Sequence, residues 1–200
     1  MNKDYIKVEK FINRDMADFL YGYVLLEDKR LRTLKDSLWP HQTMEEYYVY
    51  GNFEDEQALG DFSNYGDLIF DTLLLGKVKQ LSRITETRLV PQYSYHRLYT
   101  NGSELVRHKD RESCEISLTL CLGYDSDDSW PIWFEDSDGK KVSVELQPGD
   151  MVIYKGCELD HWREPFKGKN HAQVFLHYND ATGKYGQQKY DGRWCLGLKK

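Results

Sequence analysis

Apolar residues in the first ninety positions recur at intervals of three and four, whereas from Pro91 onward they alternate with polar ones. This change of period predicts a short α-rich front and a long β-rich back. After a short strand at Tyr5 to Val8, Asn13 is placed to cap a helix from Arg14 to about Leu34. Its residues Met16, Phe19, Leu20, Tyr23, Val24 and Leu26 lie mostly on one face. A second apolar helix covers about Asp67 to Ile84 through Leu68, Ile69, Leu73, Leu74, Val78 and Leu81. The stretch between them, Trp39 to Gly66, is rich in Gly, Asn, Asp and aromatics and is a long loop, either functional or mobile. Trp39, Tyr47, Tyr48, Tyr50 and Phe53 among acidic residues suit a lid that orders over a substrate.

In the back half, Gln92 to Thr100, Glu115 to Leu122, Pro131 to Glu135, Lys141 to Leu146, Met151 to Tyr154 and Ala172 to Tyr178 read as strands between turn signals. Short strands so closely spaced, without intervening helices, imply an antiparallel sandwich or barrel. Within Glu115 to Leu122, Ile116, Leu118, Leu120 and Leu122 point one way and Ser117, Thr119 and Cys121 the other, so the second face suits a cavity lining. The turn Pro148-Gly149 before Met151 to Tyr154 is the hairpin of a jelly roll. The expected fold is thus α+β, a double-stranded β-helix (jelly-roll) core with N-terminal supporting helices. The apolar faces of both helices (Phe19, Leu20, Tyr23, Val24; Leu68, Ile69, Leu73, Leu74) need the outer face of the sheet as a partner. Residues 1–200 are therefore expected as a single domain, with 1–90 as helical support and loop, 91–180 as the jelly-roll core and 181–200 as a C-terminal tail.

Composition narrows the function classes. Two hundred residues suffice for one ordinary core. A net charge of −6 and a pI near 5.5 give no basic footprint for nucleic acid or anionic lipid. No stretch approaches a membrane span, and the charged start MNKDYIKVEKF has no secretory h-region, so a soluble, cytoplasmic protein is expected. Cys114, Cys121, Cys157 and Cys195 form no CxxC and no disulfide framework and are expected as reduced, structural thiols. His41, His96 and His177 lack a second ligand at a useful spacing and read as ordinary structural or surface histidines. The run Asp125 to Asp128 reads as a solvated turn without calcium-loop spacing.

The chemistry concentrates in His108-Lys109-Asp110, where residues two apart in extended chain project from the same face. The triplet alone is as readily a surface pair. His161, 51 residues past Asp110 and just after the strand following Pro148-Gly149-Asp150, strengthens it, because a double-stranded β-helix returns that position beside the first pair. Two His and one Asp form the facial triad suited to Fe(II), with coordination positions left for a bidentate acid and O2.

The run from Arg97 through Tyr99, Gly102, His108 and Asp110, then Gln147 to Tyr154, then His161-Trp-Arg-Glu-Pro165, resembles the Fe(II)/2-oxoglutarate-dependent dioxygenases, most of all their prolyl 4-hydroxylase-like branch. The likeness covers about Tyr93 to Tyr178. It implies that His108, Asp110 and His161 are the catalytic metal ligands and that Tyr99 faces the distal carboxylate of 2-oxoglutarate. It also implies O2 as cosubstrate and ascorbate as reductant. The family carries a basic clamp for that carboxylate nine or ten residues after the distal His, where this chain has Asn170 and His171. Lys169 is the first candidate for the clamp, with Arg97, His171 and Arg163 as others; Arg97 alternates with Tyr93, Tyr95 and Tyr99 on one strand face. The reaction implied is hydroxylation of an aliphatic carbon, coupled to conversion of 2-oxoglutarate to succinate and CO2, with a prolyl residue of a peptide or protein as the favoured substrate. Alternatives are a small-molecule or free amino acid hydroxylase, a non-catalytic cupin-like metal- or ligand-binding module, and a jelly-roll enzyme using the triad without 2-oxoglutarate. Substrate and oligomeric state are open.

Overall fold

The two helices form where expected because their ends carry the right side chains. In a computed structural model that describes residue 1, residues 3–38 and residues 48–200, strand β1 (Tyr5–Val8) leads into helix α1 (Arg14–Leu38). Asn13 caps α1, its side chain accepting from the Met16 N–H at 2.8 Å. Strand β2 (Phe62–Tyr65) precedes helix α2 (Leu68–Thr85). Asp67 caps α2 by accepting from the N–H groups of Ile69 and Phe70, and Glu86 ends it in the left-handed conformation at φ 53°. The segment 39–47, with Trp39, His41 and Tyr47, lies outside the described residues.

The chain then runs β3 (Leu89–Thr100), β4 (Leu105–His108), β5 (Ile116–Asp125), β6 (Ile132–Glu135), β7 (Lys141–Val144), β8 (Met151–Tyr154), β9 (Asp160–Arg163) and β10 (Asn170–Asp180). Pairing is antiparallel throughout, in a six-stranded sheet of order β1-β8-β5-β10-β3-β2 and a four-stranded sheet of order β4-β9-β6-β7. Two facing, unclosed sheets with helices outside the larger one make an α+β jelly-roll core. The six expected strands are present within a few residues of their expected ends. Strands β2, β4 and β9 did not register in the sequence, since four residues such as Leu-Val-Arg-His carry too little alternation to be read.

The larger sheet has two buried faces, as the alternation in β5 implies. Ile116, Leu118, Leu120 and Leu122 join the helix-side core with Leu20, Val24, Leu31, Phe70, Leu74 and Leu81. Each fully buried leucine there contributes about 2 kcal/mol. Between the sheets, Cys121, Ile132, Phe134, Val152 and Tyr154 form a second cluster. Four residues expected on the apolar faces are corrected. Met16 is 45%, Phe19 67%, Leu26 65% and Leu68 68% exposed, because the face of α1 that meets the sheet is centred on Ala17, Leu20 and Val24, and Leu68 is the first residue of α2. The tail past β10 is anchored in the fold. Asp191 and Arg193 are buried, Asp191 accepting two hydrogen bonds from Arg111 at 2.6 and 2.7 Å and one from Tyr65 at 2.8 Å. Arg193 Nη1 donates to Asp71 at 2.8 Å.

Candidate metal centre

Antiparallel pairing of β4 with β9 sets His108 directly opposite His161, and β6 flanks it through Phe134. Asp110 lies just past β4, held where its N–H donates to the Gly156 carbonyl at 2.9 Å. The outcome is a cluster in which the ligand atoms of His108, Asp110 and His161 all lie within 4.8 Å of one another. Each imidazole Nε2 stands 3.5 Å from Asp110 Oδ1.

The surroundings orient these groups for a metal. His108 Nδ1–H donates to the Val106 carbonyl at 2.7 Å and His161 Nδ1–H to the Leu159 carbonyl at 3.0 Å, so both Nε2 atoms face Asp110. The second carboxylate oxygen of Asp110 accepts from Ser117 Oγ at 2.6 Å, and His177 Nδ1 lies 3.0 Å from the same hydroxyl. Burial disfavours the Asp110 charge, but hydrogen bonds from His108 and His161 hold its carboxyl well below the usual range. Burial likewise opposes a charge on His108, which the bonds to Asp110 and Val106 outweigh, raising its pKa. Two neutral-capable imidazoles with preset tautomers and one ionised oxygen fit a divalent transition metal.

This centre opens on a cavity of about 610 Å³ walled by Tyr65, Tyr93, Tyr95, Phe175 and His177, with Arg97, Lys109 and Arg111 as its cations. Asn52, Glu54, Asp55 and Gln57 form another wall, so the described end of the inter-helix loop borders the site. Asp55 accepts hydrogen bonds from Tyr95 and from Arg97. Burial opposes charge on Arg97, yet Tyr99 and Asp55 raise its pKa above the ordinary guanidinium range.

The candidate 2-oxoglutarate residues are dispersed. Arg97 lines the cavity and its Nη1 donates to the Tyr99 hydroxyl at 3.0 Å. Tyr99 is fully buried deeper in the barrel, edge-on to Trp130 at 4.8 Å. Lys169 is not brought to the site, since its side chain is 78% exposed and pairs with Asp125 at 3.2 Å. Asn170 turns to α1, accepting from Tyr21, and His171 is buried against Tyr124. Trp162 stacks on Trp133 at 6.1 Å, away from the cavity.

Three features escaped the sequence reading. His177, read as an ordinary histidine, lines the cavity and supports Ser117. Cys114 also lines it, its Sγ 3.0 Å from the Tyr93 hydroxyl. Asp110, Cys114 and His177 form a second group close enough for a metal, though the hydrogen bonds just given already engage all three. His96, by contrast, is a core histidine, between Phe62 and Phe70 and 2.9 Å from Glu27. The four cysteines are free thiols, and among the described residues no helix is long and apolar enough to cross a membrane.

No protein-family profile matches the chain, and no curated protein matches it in sequence. Solved structures do match in fold. A prolyl-4-hydroxylase from Pseudomonas putida is 16% identical at TM-score 0.66, over 90% of this chain and 94% of that one. A prolyl hydroxylase from Trichoplax adhaerens, bound to a hypoxia inducible factor peptide, is 13% identical at TM-score 0.61, over 94% and 89%. HygX from Streptomyces hygroscopicus, with nickel, 2-oxoglutarate and hygromycin B bound, is 10% identical at TM-score 0.62, over 90% and 84%. The chain has the fold of the 2-oxoglutarate and Fe(II)-dependent oxygenases, prolyl hydroxylases among them.

Proposed function

We propose that this protein is an Fe(II)- and 2-oxoglutarate-dependent oxygenase that hydroxylates an aliphatic carbon. The observation that carries the reading is the His108/Asp110/His161 cluster, two opposed imidazoles and one carboxylate oxygen at the mouth of a cavity in a jelly roll of this fold. These residues would hold the ion on one face. With iron and 2-oxoglutarate bound there, the site would have O2 activation and the oxidising power to hydroxylate a C–H bond, with succinate and CO2 as co-products.

The chain's own part is to bind, orient and shield. Val106 and Leu159 set the histidine tautomers, and Ser117 holds the outer oxygen of Asp110 so that the inner one faces both imidazoles. Tyr93, Tyr95 and Phe175 provide an apolar wall for the reacting carbon and keep bulk water from it. A peptidyl proline is the favoured substrate, by likeness to neighbours that carry that name. A small molecule is the other reading, favoured by a cavity volume within the range of small-ligand sites and by the hygromycin B bound in one neighbour.

The test is succinate formation dependent on Fe(II), O2 and 2-oxoglutarate, together with metal titration of the wild type and of His108→Ala, Asp110→Ala and His161→Ala. Each variant should keep its circular dichroism and lose at least about tenfold in metal affinity, with loss of turnover. A variant with wild-type succinate formation removes the triad assignment. Metal binding without succinate formation favours the non-catalytic alternative.

A further inference from the structure

The barrel interior holds a second, deeper arginine whose bonding is incomplete. Arg163 lies two residues past His161 on β9, so both side chains project inward from the same strand face. It is 2% exposed. Its Nη1 donates to the Trp130 carbonyl and its guanidinium sits 4.7 Å from the centre of the Trp130 ring. Nε and Nη2 are fully buried and have no hydrogen-bond partner among the described residues, and no carboxylate there forms an ion pair with it. An unpaired buried guanidinium is destabilising unless an anion completes it. Arg97, the other buried arginine near the centre, already has Asp55.

The neighbours of Arg163 indicate which anion. Tyr154 packs against the imidazole of His161 with ring centres 4.8 Å apart, and His161 and Arg163 share the buried positions of β9. The Tyr99 hydroxyl accepts from Arg97, which leaves its own proton to donate to a ligand. The positions nine and ten past His161 offer no cation. Asn170 is turned to Tyr21, and burial together with Arg163 pushes the His171 pKa well below its usual value, leaving that ring neutral.

Resting on the oxygenase reading, we infer that Arg163, with Tyr99 beside it, is the receptor for the distal carboxylate of the 2-oxo dicarboxylic acid, replacing on β9 the cation that β10 lacks. Two parallel N–H···O bonds from Nε and Nη2 would complete the guanidinium's donors. Lys169 has no part in it.

The experiment uses the full chain loaded with Mn(II), where binding is read by calorimetry without turnover. The ligands are 2-oxoglutarate and 2-oxobutanoate, which share the metal-chelating end and differ in the distal carboxylate. The wild type and Lys169→Ala should bind 2-oxoglutarate at least about tenfold more tightly than 2-oxobutanoate, and Arg163→Gln should bind the two alike. Because the guanidinium is an unmet burden in the free protein, Arg163→Gln without ligand should melt no lower than the wild type. A lower melting temperature with undiminished discrimination would mark Arg163 as purely structural and overturn the inference. Should Arg163→Gln fail to fold, a wild-type structure with Mn(II) and 2-oxoglutarate decides, since the distal carboxylate lies either on Arg163 or on another cation. Wild type that binds Mn(II) but neither oxo acid would remove the cosubstrate reading itself, and this inference with it.

Discussion

His177 is the residue whose surroundings most change its chemistry. Burial pushes its pKa down to about 4, although Asp110 pulls the other way, so the ring is neutral at pH 7 and serves as a partner of Ser117. In the unfolded chain the same ring titrates near 6.5. Above that pH both states are neutral and stability is complete. As pH falls from about 6.5 to about 4 only the unfolded chain takes up the proton, and stability is lost, levelling below 4. The pKa difference corresponds to about 3 kcal/mol at most. His171, also depressed by burial, acts in the same direction. Denaturant unfolding of the metal-free protein between pH 7.5 and 4.5 should show the loss, and His177→Gln should flatten it. An undiminished slope in that variant assigns the acid sensitivity elsewhere.

At the scale of elements, the site depends on a close approach between two turns that no strand pattern announces. Gly156, in the turn after β8, gives its carbonyl to the Asp110 N–H. A Cβ there would lie 2.3 Å from the Cys114 carbonyl oxygen, 2.4 Å from Ser117 Oγ and 2.5 Å from Asp110 Oδ2. Gly156→Ala should therefore push the Asp110 turn away from its partner, costing about 1–3 kcal/mol in unfolding experiments and weakening metal binding in titration. Gly76 is the control. It sits on the exposed side of α2, where an added Cβ would meet nothing within 4 Å, so Gly76→Ala should stabilise by about 0.5–1 kcal/mol and leave metal affinity unchanged. Equal effects of the two substitutions would refute the packing argument. The same scale explains what was readable in the site. His108 and Asp110 share a face by period-two geometry, and His161 comes after the strand that follows the Pro-Gly turn, where a double-stranded β-helix returns beside the first pair, so the three were legible as a set although β9 itself was not. Cys114 and His177, and the partners of the cavity-facing Ser117, were not, because these residues come from β5 and β10 and the turn before β5, and meet only through sheet pairing.

For the whole molecule, the helices and the sheets share one core. The outer face of the larger sheet, with Leu118, Leu120, Val174 and Leu176, is covered by α1 and α2, and β1 and β2 close its two edges. A fragment starting at Pro91 loses both covers and both edge strands, and is expected to aggregate. A monomeric, cooperatively melting fragment from Pro91 to Lys200 would contradict a single-domain chain. The expected lid is accessible at the same scale. Asp55 ties the loop end to Tyr95 and Arg97, so substrate that competes for Arg97 should alter proteolysis of residues 51–61, and equal cleavage with and without substrate would leave a plain surface wall.

Local information, namely period, capping residues and turn dipeptides, determined the two helices, the strands β1, β3, β5, β6, β7, β8 and β10 and the jelly-roll class, and put His108 and Asp110 on one face. These depend on the conformations that neighbouring residues impose on one another, and on a strand alternation that is independent of what lies opposite. Tertiary structure alone decided the rest: which face of α1 is covered, that β4 and β9 place His108 opposite His161, and that Lys169 points to solvent while Arg163 stays inside without a counterion among the described residues. A side chain's burial and its partner are properties of the space between elements distant in sequence, and a cation two residues past a ligand reads the same along the chain whether it faces water or the barrel.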